Sequence, residues 1–412
     1  MNRLRIGVLA ILLYLPVQLF PRNRRKIVFG AWTGTLYADN PRYLFEYLLA
    51  DPTFKVLWIG NADLINQLPQ GAKFAPKGSF RALWHLFTAY TFVFSHSMWE
   101  DFGPYPIKRQ CIRINCGHGI PLKHIGEKVS GEEAIKSIWF LIRMKQWIEG
   151  FLFSAPAVAP VSSADMSHAL MEGYPELFTD YLPFGSPRGD FLLKMREDAS
   201  FQKECRNRLS EILSIDSNKK WVLYLPTWRK EQHSVFSFSS LNAAIALSLV
   251  LKSEEVLVIE KQHFHTLLAQ RGGLEKDWLR VISADESKQL DTLELLLASD
   301  LLITDYSSCY FDAVLMGLPV IHFVYDYDYY TEADAGLRFE LKEVSGGPIC
   351  RGLTELIECL QQPPQTLHQS KGDQLDSLLE YEKGHACEQI TVWLNQQMKS
   401  RSLFFLNRDV RG

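Results

Sequence analysis

The sequence predicts an α/β protein made of two Rossmann-like, doubly wound halves. Three observations carry that prediction: apolar β-rich runs alternate with helical stretches, the alternation occurs twice, and polar or glycine-bearing loops follow the carboxyl ends of the runs. In the first half, KIVFGAW from Lys26, KVLWIG from Lys55, TFVFSH from Thr91 and CIRIN from Cys111 read as buried strands. PRYLFEYLLA after Asn40 and FRALWHLF after Ser79 read as helices, with Asn40 and Ser79 as N-caps. In the second half WVLYL from Trp221, VLVIE from Val256, LLIT from Leu301 and VIHFV from Val320 are the strands. A charged helical stretch from Phe191 to Leu213 separates the two sets, and in such sheets ligands bind at the strands' carboxyl ends, here in the cleft between halves.

The 412 residues suffice for two large domains or three small ones. Hydrophobic residues at 47% and charged residues at 22% exclude a disordered or low-complexity chain. With 44 Lys and Arg against 47 Asp and Glu there is no basic excess to meet phosphate backbones, so no nucleic-acid partner is expected. The 7 cysteines include no Cys-x-x-Cys, which excludes a zinc ribbon and a disulfide framework and points to a reducing compartment.

Ile6 to Phe20 is almost wholly apolar and is bracketed by Arg3 and Arg5 before and by Arg22, Arg24, Arg25 and Lys26 after. It is short of the roughly 20 residues that a spanning helix needs, and Pro16 interrupts it. No small-residue cleavage site follows, so the segment is expected to be an N-terminal interfacial membrane helix, a buried first helix being the other reading. Ala134 to Phe153 interleaves Trp139, Phe140, Trp147 and Phe153 with Lys136, Arg143 and Lys145, which suits either a headgroup layer or a core.

Four loops carry candidate chemistry. Cys116-Gly117-His118-Gly119-Ile120-Pro121-Leu122-Lys123 follows the strand CIRIN, and a histidine between two glycines sits on backbone that turns tightly and admits a ligand. Imidazole can take a proton near neutral pH, so His118 is either a general base or a satisfied turn histidine. Asp305, Ser307 and Ser308 stand between strand LLIT and a helix that closes at Gly317, so the serines either cap that helix or help form an anion site at its N-terminus. Thr227 and Arg229 follow WVLYL, and Lys261, His263 and His265 follow VLVIE. His263 and His265 could share a strand face, but no further His or Cys stands at ligand spacing, so no metal and no cofactor is expected. The chain lacks the dinucleotide-binding glycine fingerprint, the P-loop and Gly-x-Ser-x-Gly.

These segments, in this order, resemble the CDP-glycerol glycerophosphotransferases that build teichoic acids and related capsule polymers. GHGIPLKHIG at 117–126 is similar to HGTPLK-x-x-G, GSPRGD at 185–190 to G-x-PR-N-D, YLPTWR at 224–229 to Y-x-PTWR, and ITDYSSCYFD at 303–312 to TDYSS-x-x-FD. GLPVIHFVYDYDYY at 317–330 and NPRYLFEYLL at 40–49 extend the resemblance to roughly residues 26–360. Ile120 stands where the pattern has Thr, Gly189 where it has Asn, and His263-Phe264 where it has His-Pro, leaving the choice between His263 and His265 open.

The resemblance implies a peripheral membrane enzyme of the two-domain GT-B type at the cytoplasmic face. The enzyme moves glycerol phosphate or another polyol phosphate from a CDP-polyol such as CDP-glycerol to a hydroxyl of a lipid-linked or growing polymer, releasing CMP. Carried onto this sequence, His118 and His263 become catalytic. Arg229, Thr227, Lys261, Asp305, Ser307 and Ser308 become donor-binding, and Lys123, Arg188 and Asn40 contact acceptor or phosphate. The expected parts are a membrane-associating segment 1–25, an acceptor-side domain 26–195, a CDP-polyol domain 196–375, and a C-terminal helix and tail 376–412. A GT-B glycosyltransferase using a sugar nucleotide shares the cleft and the helix-capped loop, and only the HGIPLK and PTWR segments speak against it.

Overall fold

The computed structural model describes residues 17–105, 107–108, 110–126, 157–175, 177–227, 229, 236–240, 255–262, 277–333, 336–367 and 372–409. It divides into two compact units: Met1–His118, Ser130–Asp190 and Glu380–Gly412 form the first, Gly119–Val129 and Phe191–Leu379 the second. The chain therefore leaves the first unit between His118 and Gly119, and the segment from Glu380 returns to it.

Among the described residues the first unit holds a parallel sheet of β1 (Asn23–Phe29), β2 (Lys55–Gly60), β3 (Phe74–Pro76), β4 (Ala89–Phe94), β5 (Ile112–Asn115), β6 (Ala157–Pro160) and β7 (Phe178–Leu182), in the order β3-β2-β1-β4-β5-β6-β7. The second holds β8 (Lys220–Leu225), β9 (Val256–Glu260), β10 (Leu279–Val281), β11 (Leu301–Thr304), β12 (Val320–Phe323) and β13 (Ile349–Cys350), ordered β10-β9-β8-β11-β12-β13. Both orders reverse direction beside the first strand of their set, as in doubly wound nucleotide-binding sheets. The eight strands expected from apolar runs are all present. β3, β6, β7, β10 and β13 were not expected, being short or, in β7, largely solvent-facing and so without an apolar run.

Burial on both faces explains why the central strands are continuous apolar runs. In the first unit Phe29, Phe45 and Trp58 pack on one face of the sheet together with Ile390 and Leu394 of the C-terminal helix, while Val28, Phe92 and Phe102 line another cluster. In the second, Val222, Tyr224, Val258, Ile303 and Ile321 form the core. Ser79 caps the Phe80–Thr88 helix by accepting the Ala82 amide at 3.1 Å, as expected. Asn40 does not cap its helix: the helix Asp39–Leu49 begins one residue earlier, and Asn40 is turned inward for another task.

Residues 6–16 of the apolar N-terminal stretch and the whole of 134–153 lie outside the described residues. Val17 is buried in the first unit's core, Leu19 is exposed, and the Phe20 ring packs on Trp84 and Phe87. Among the described residues no helix is long and apolar enough to cross a membrane.

Candidate active site

His118 is positioned by the turn that ends β5. Gly117 and Gly119 have φ of +61° and +148°, conformations that only glycine adopts without strain. Asn40 fixes this turn from the neighbouring helix, its side-chain amide donating to the carbonyls of Cys116 at 2.9 Å and Gly117 at 3.4 Å. His118 is exposed as a residue, and its ring lies parallel to the His96 ring, with 4.6 Å between centroids and 10° between planes. Trp32 closes the group, its ring 5.7 Å from His118 and 4.9 Å from His96.

Polar bonds lock these rings in place. The Trp32 indole donates to Asp39 Oδ2 at 3.0 Å; Arg188 Nη1 donates to Asp39 Oδ1 and to the His118 carbonyl, both at 2.9 Å. The Arg188 amide donates to Asn40 Oδ1 at 3.0 Å, so the first turns of two helices grip the His118 turn together. Beneath them Asp101, fully buried, accepts the amides of Thr33 at 2.8 Å, Ser95 at 2.9 Å and His96 at 3.0 Å. Trp32, Thr33 and Asp39 hold φ of 48°, 57° and 66°, left-handed conformations that cost non-glycine residues energy and that cluster at functional sites. The Asp101 and Arg188 bonds are what hold that backbone in place.

The His118 pKa is lowered from the ordinary histidine value, first by desolvation among surrounding protein atoms and second by His96, with Asp39 and a hydrogen bond to the Ser95 backbone opposing. The shift favours the neutral ring, the form that a base requires.

In the second unit, Asp305 follows β11 and accepts the Thr227 amide at 2.8 Å and hydroxyl at 2.6 Å. Arg229 donates to Asp305 at 2.8 Å, to the Asp326 carboxylate at 2.7 and 3.1 Å, and to the Thr227 carbonyl at 2.7 Å. Its guanidinium lies over the rings of Tyr330 and Tyr306, which are themselves stacked 3.9 Å apart. Burial opposes the charge of Arg229, but Asp305 and Asp326 outweigh it and raise its pKa. Lys261 donates to Thr292 Oγ1 at 2.6 Å, and desolvation, opposed by Asp291, lowers its pKa to about 8. Ser308 stands at the N-cap of the Cys309–Met316 helix without a side-chain capping bond.

The structure thus brings His118, Asn40 and Arg188 together in one unit, and Thr227, Arg229 and Asp305 in the other. Asn40, Arg188 and Arg229 are buried, and the hydrogen bonds described above tie each of them to neighbouring protein groups. Arg229 in particular has no exposed surface. The backbone of Lys123 bridges Leu337 in the second unit. His263 and His265 lie outside the described residues. Sequence reasoning missed Trp32, Asp39, His96 and Asp101, and of these only His96, closing the strand TFVFSH, stood at a position that could have signalled it. It also passed over the Asp326-Tyr327-Asp328 spacing: Asp326 is taken by Arg229, while Asp328 is largely exposed and faces Arg351 at 3.9 Å. Among the described residues no group of His, Cys, Asp or Glu could hold a metal ion.

A family model described as CDP-Glycerol:Poly(glycerophosphate) glycerophosphotransferase matches residues 13–394. The chain belongs to this family. Among its relatives, the teichoic acid poly(glycerol phosphate) polymerase of Bacillus spizizenii is 26% identical over 354 residues, covering 84% of this chain and 85% of that protein. The teichoic acid glycerol-phosphate transferase of Staphylococcus aureus is 26% identical over 361 residues, covering 84% and 86%. The solved structure of the wall teichoic acid polymerase TagF superposes with a TM-score of 0.74 at 22% identity, over 96% of this chain and 95% of that one, which shows a shared fold. As a glycerophosphotransferase, the chain carries its motif histidine, His118, on a rigid turn and its motif arginine, Arg229, in a buried ion-pair cluster.

Proposed function

We propose that this glycerophosphotransferase moves glycerol phosphate from CDP-glycerol to a hydroxyl of a lipid-linked or growing glycopolymer at the cytoplasmic face of the membrane, releasing CMP. The observation that carries the reading is His118: an exposed histidine whose ring stacks on His96 and whose neutral form is favoured, its backbone fixed by Arg188. The acceptor oxygen attacks the β-phosphorus of the donor while the bond from that phosphorus to the CMP oxygen breaks, and the hydroxyl proton passes to His118. Phosphoryl transfer needs positioning and charge stabilisation more than covalent help, and the second unit supplies groups suited to that. Ser307, Ser308 and the amides at the Cys309–Met316 helix N-terminus take the donor phosphates. Arg229, through Asp305 and Thr227, keeps that loop in shape. Lys261 adds positive charge beside it, and His263, by its motif position, completes the donor side.

Association with the membrane surface is supported by the flank of the Phe80–Thr88 helix. Leu19, Phe80 and Trp84 expose 85%, 91% and 56% of their surface there. Lys26, Arg81 and Lys73 all act on the neighbouring His85, whose pKa is lowered to about 4 by burial first and by those cations second. Apolar side chains among cations suit an anionic bilayer.

The test is to incubate the purified protein with CDP-glycerol, CDP-ribitol or a UDP-sugar together with a lipid-linked saccharide, following nucleotide release by chromatography and product mass by spectrometry. CMP release with a glycerol phosphate mass increment is expected; turnover of the UDP-sugar alone would overturn the reading in favour of a glycosyltransferase.

A further inference from the structure

The start of the helix that carries Arg188 is held by a segment nearly two hundred residues further along the chain. Glu382 Oε2 accepts the Ser186 amide at 3.1 Å, and the two carboxylate oxygens of Asp190 accept the amides of Ala386 at 2.9 Å and Cys387 at 2.7 Å. The Tyr381 amide in turn donates to the Ser162 carbonyl at 2.8 Å. Glu382 is 7% exposed, and its Oε1 is buried without a hydrogen-bond partner.

This carboxylate dictates what can occupy position 189. A Cβ built on Gly189 would lie 2.1 Å from Glu382 Oε2 and 2.8 Å from Ser186 Oγ. A Cβ on Gly185, whose φ is +76°, would lie 2.5 Å from the Tyr381 carbonyl. Gly185 is therefore demanded by the backbone of the C-terminal segment, and Gly189 leaves the room that the Glu382 carboxylate fills. A buried carboxyl group with an idle oxygen is an expensive way to fill space, which argues for a role beyond packing.

We propose that Glu382 is a positioning residue for the His118 site and that Gly189 is its obligate counterpart. Wedged against the first turn of the Pro187–Met195 helix, the carboxyl group sets where that helix begins, and so where Arg188 meets Asp39 and the His118 carbonyl. Gly189 and Glu382 form one steric unit: an asparagine at 189 requires the space that Glu382 occupies. The proposal rests on the glycerophosphotransferase reading of His118.

A double-mutant cycle on the full chain tests it, with kcat and KM for CMP release from CDP-glycerol and the melting temperature measured for each variant. Glu382→Ala is expected to lower kcat about tenfold with KM for CDP-glycerol nearly unchanged, because the reacting group is misplaced rather than the donor lost. Glu382→Gln, which keeps the acceptor for Ser186, restores kcat. Gly189→Asn is expected to depress both kcat and melting temperature in the wild-type background and to lose most of that effect in the Glu382→Ala background, a non-additivity characteristic of touching residues. Wild-type kcat in a folded Glu382→Ala protein, or equal damage by Gly189→Asn in both backgrounds, overturns the proposal. The melting cycle reads the Gly189–Glu382 pairing without any turnover, whereas wild-type protein silent toward CDP-glycerol would overturn the functional reading instead.

Discussion

Arg188 grips His118 by the backbone: its Nη1 donates to the His118 carbonyl at 2.9 Å while also holding Asp39 at 2.9 Å. The cation thus sits behind the base rather than in front of it, fixing the turn and adding a positive charge whose effect is to lower the imidazole pKa. Removing the base and removing its holder should therefore look different.

For His118→Ala, CMP release should fall by roughly 10²–10⁴, the usual contribution of a general base, while CDP-glycerol binding measured by calorimetry persists. Loss of donor affinity in proportion to rate would assign His118 to the donor instead.

Arg188→Lys should retain the fold and lose about tenfold in kcat, because an ammonium cannot reproduce the geometry in which the planar guanidinium meets Asp39 and the His118 carbonyl. Asp39→Asn should behave similarly, as it weakens both the Arg188 and the Trp32 contacts. Steady-state kinetics beside circular dichroism checks both.

Arg229→Met should act on stability first. It leaves the carboxylates of Asp305 and Asp326 without their cation, and breaking a buried pair on one side costs about 3–5 kcal/mol. Denaturant unfolding would register the loss; a fully stable Arg229→Met protein with only a raised KM would mean that the arginine faces the donor.

Two pH effects follow from the shifted groups. With its pKa lowered, His118 should place the acid limb of kcat/KM below the ordinary histidine range, the rate rising as the imidazole loses its proton. Glu382 shows the opposite sign: burial, with Asp190 adding to it and Arg188 and the Ser186 bonds opposing, raises its pKa from 4.5 to about 7. The folded state then binds a proton that the unfolded chain has released, so stability falls as pH rises from about 4.5 to 7, by roughly 3 kcal/mol for this group. Glu382→Gln should flatten that part of the stability profile in denaturant titrations at several pH values.

The fold was legible because the central strands are buried on both faces, so KIVF, VLWI, TFVF and VLVIE stand out as unbroken apolar runs. Strands such as β7, with Thr179 and Asp180 exposed, carry no such signal. His118 was legible for a local reason, the glycines on either side of it. Its partners were not: Trp32 and Asp39 follow β1, His96 and Asp101 follow β4, and no spacing in the sequence announces that β1, β4 and β5 bring their ends together. The buried state of Arg229 was equally hidden, since an arginine after a strand reads as a phosphate ligand until Asp326 is seen beside it.

The return of the Glu380–Gly412 segment to the first unit bears on how the protein is made. Cys387, Ile390 and Leu394 belong to the same core cluster as Phe29 and Phe45, and the Asp190 carboxylate accepts the amides of Ala386 and Cys387. On the ribosome, then, the half that is synthesised first is finished last, and its early strands wait for residue 394 while the second half can already have folded. A released chain truncated after Leu379 should be protease-sensitive in its N-terminal half and resistant in its middle.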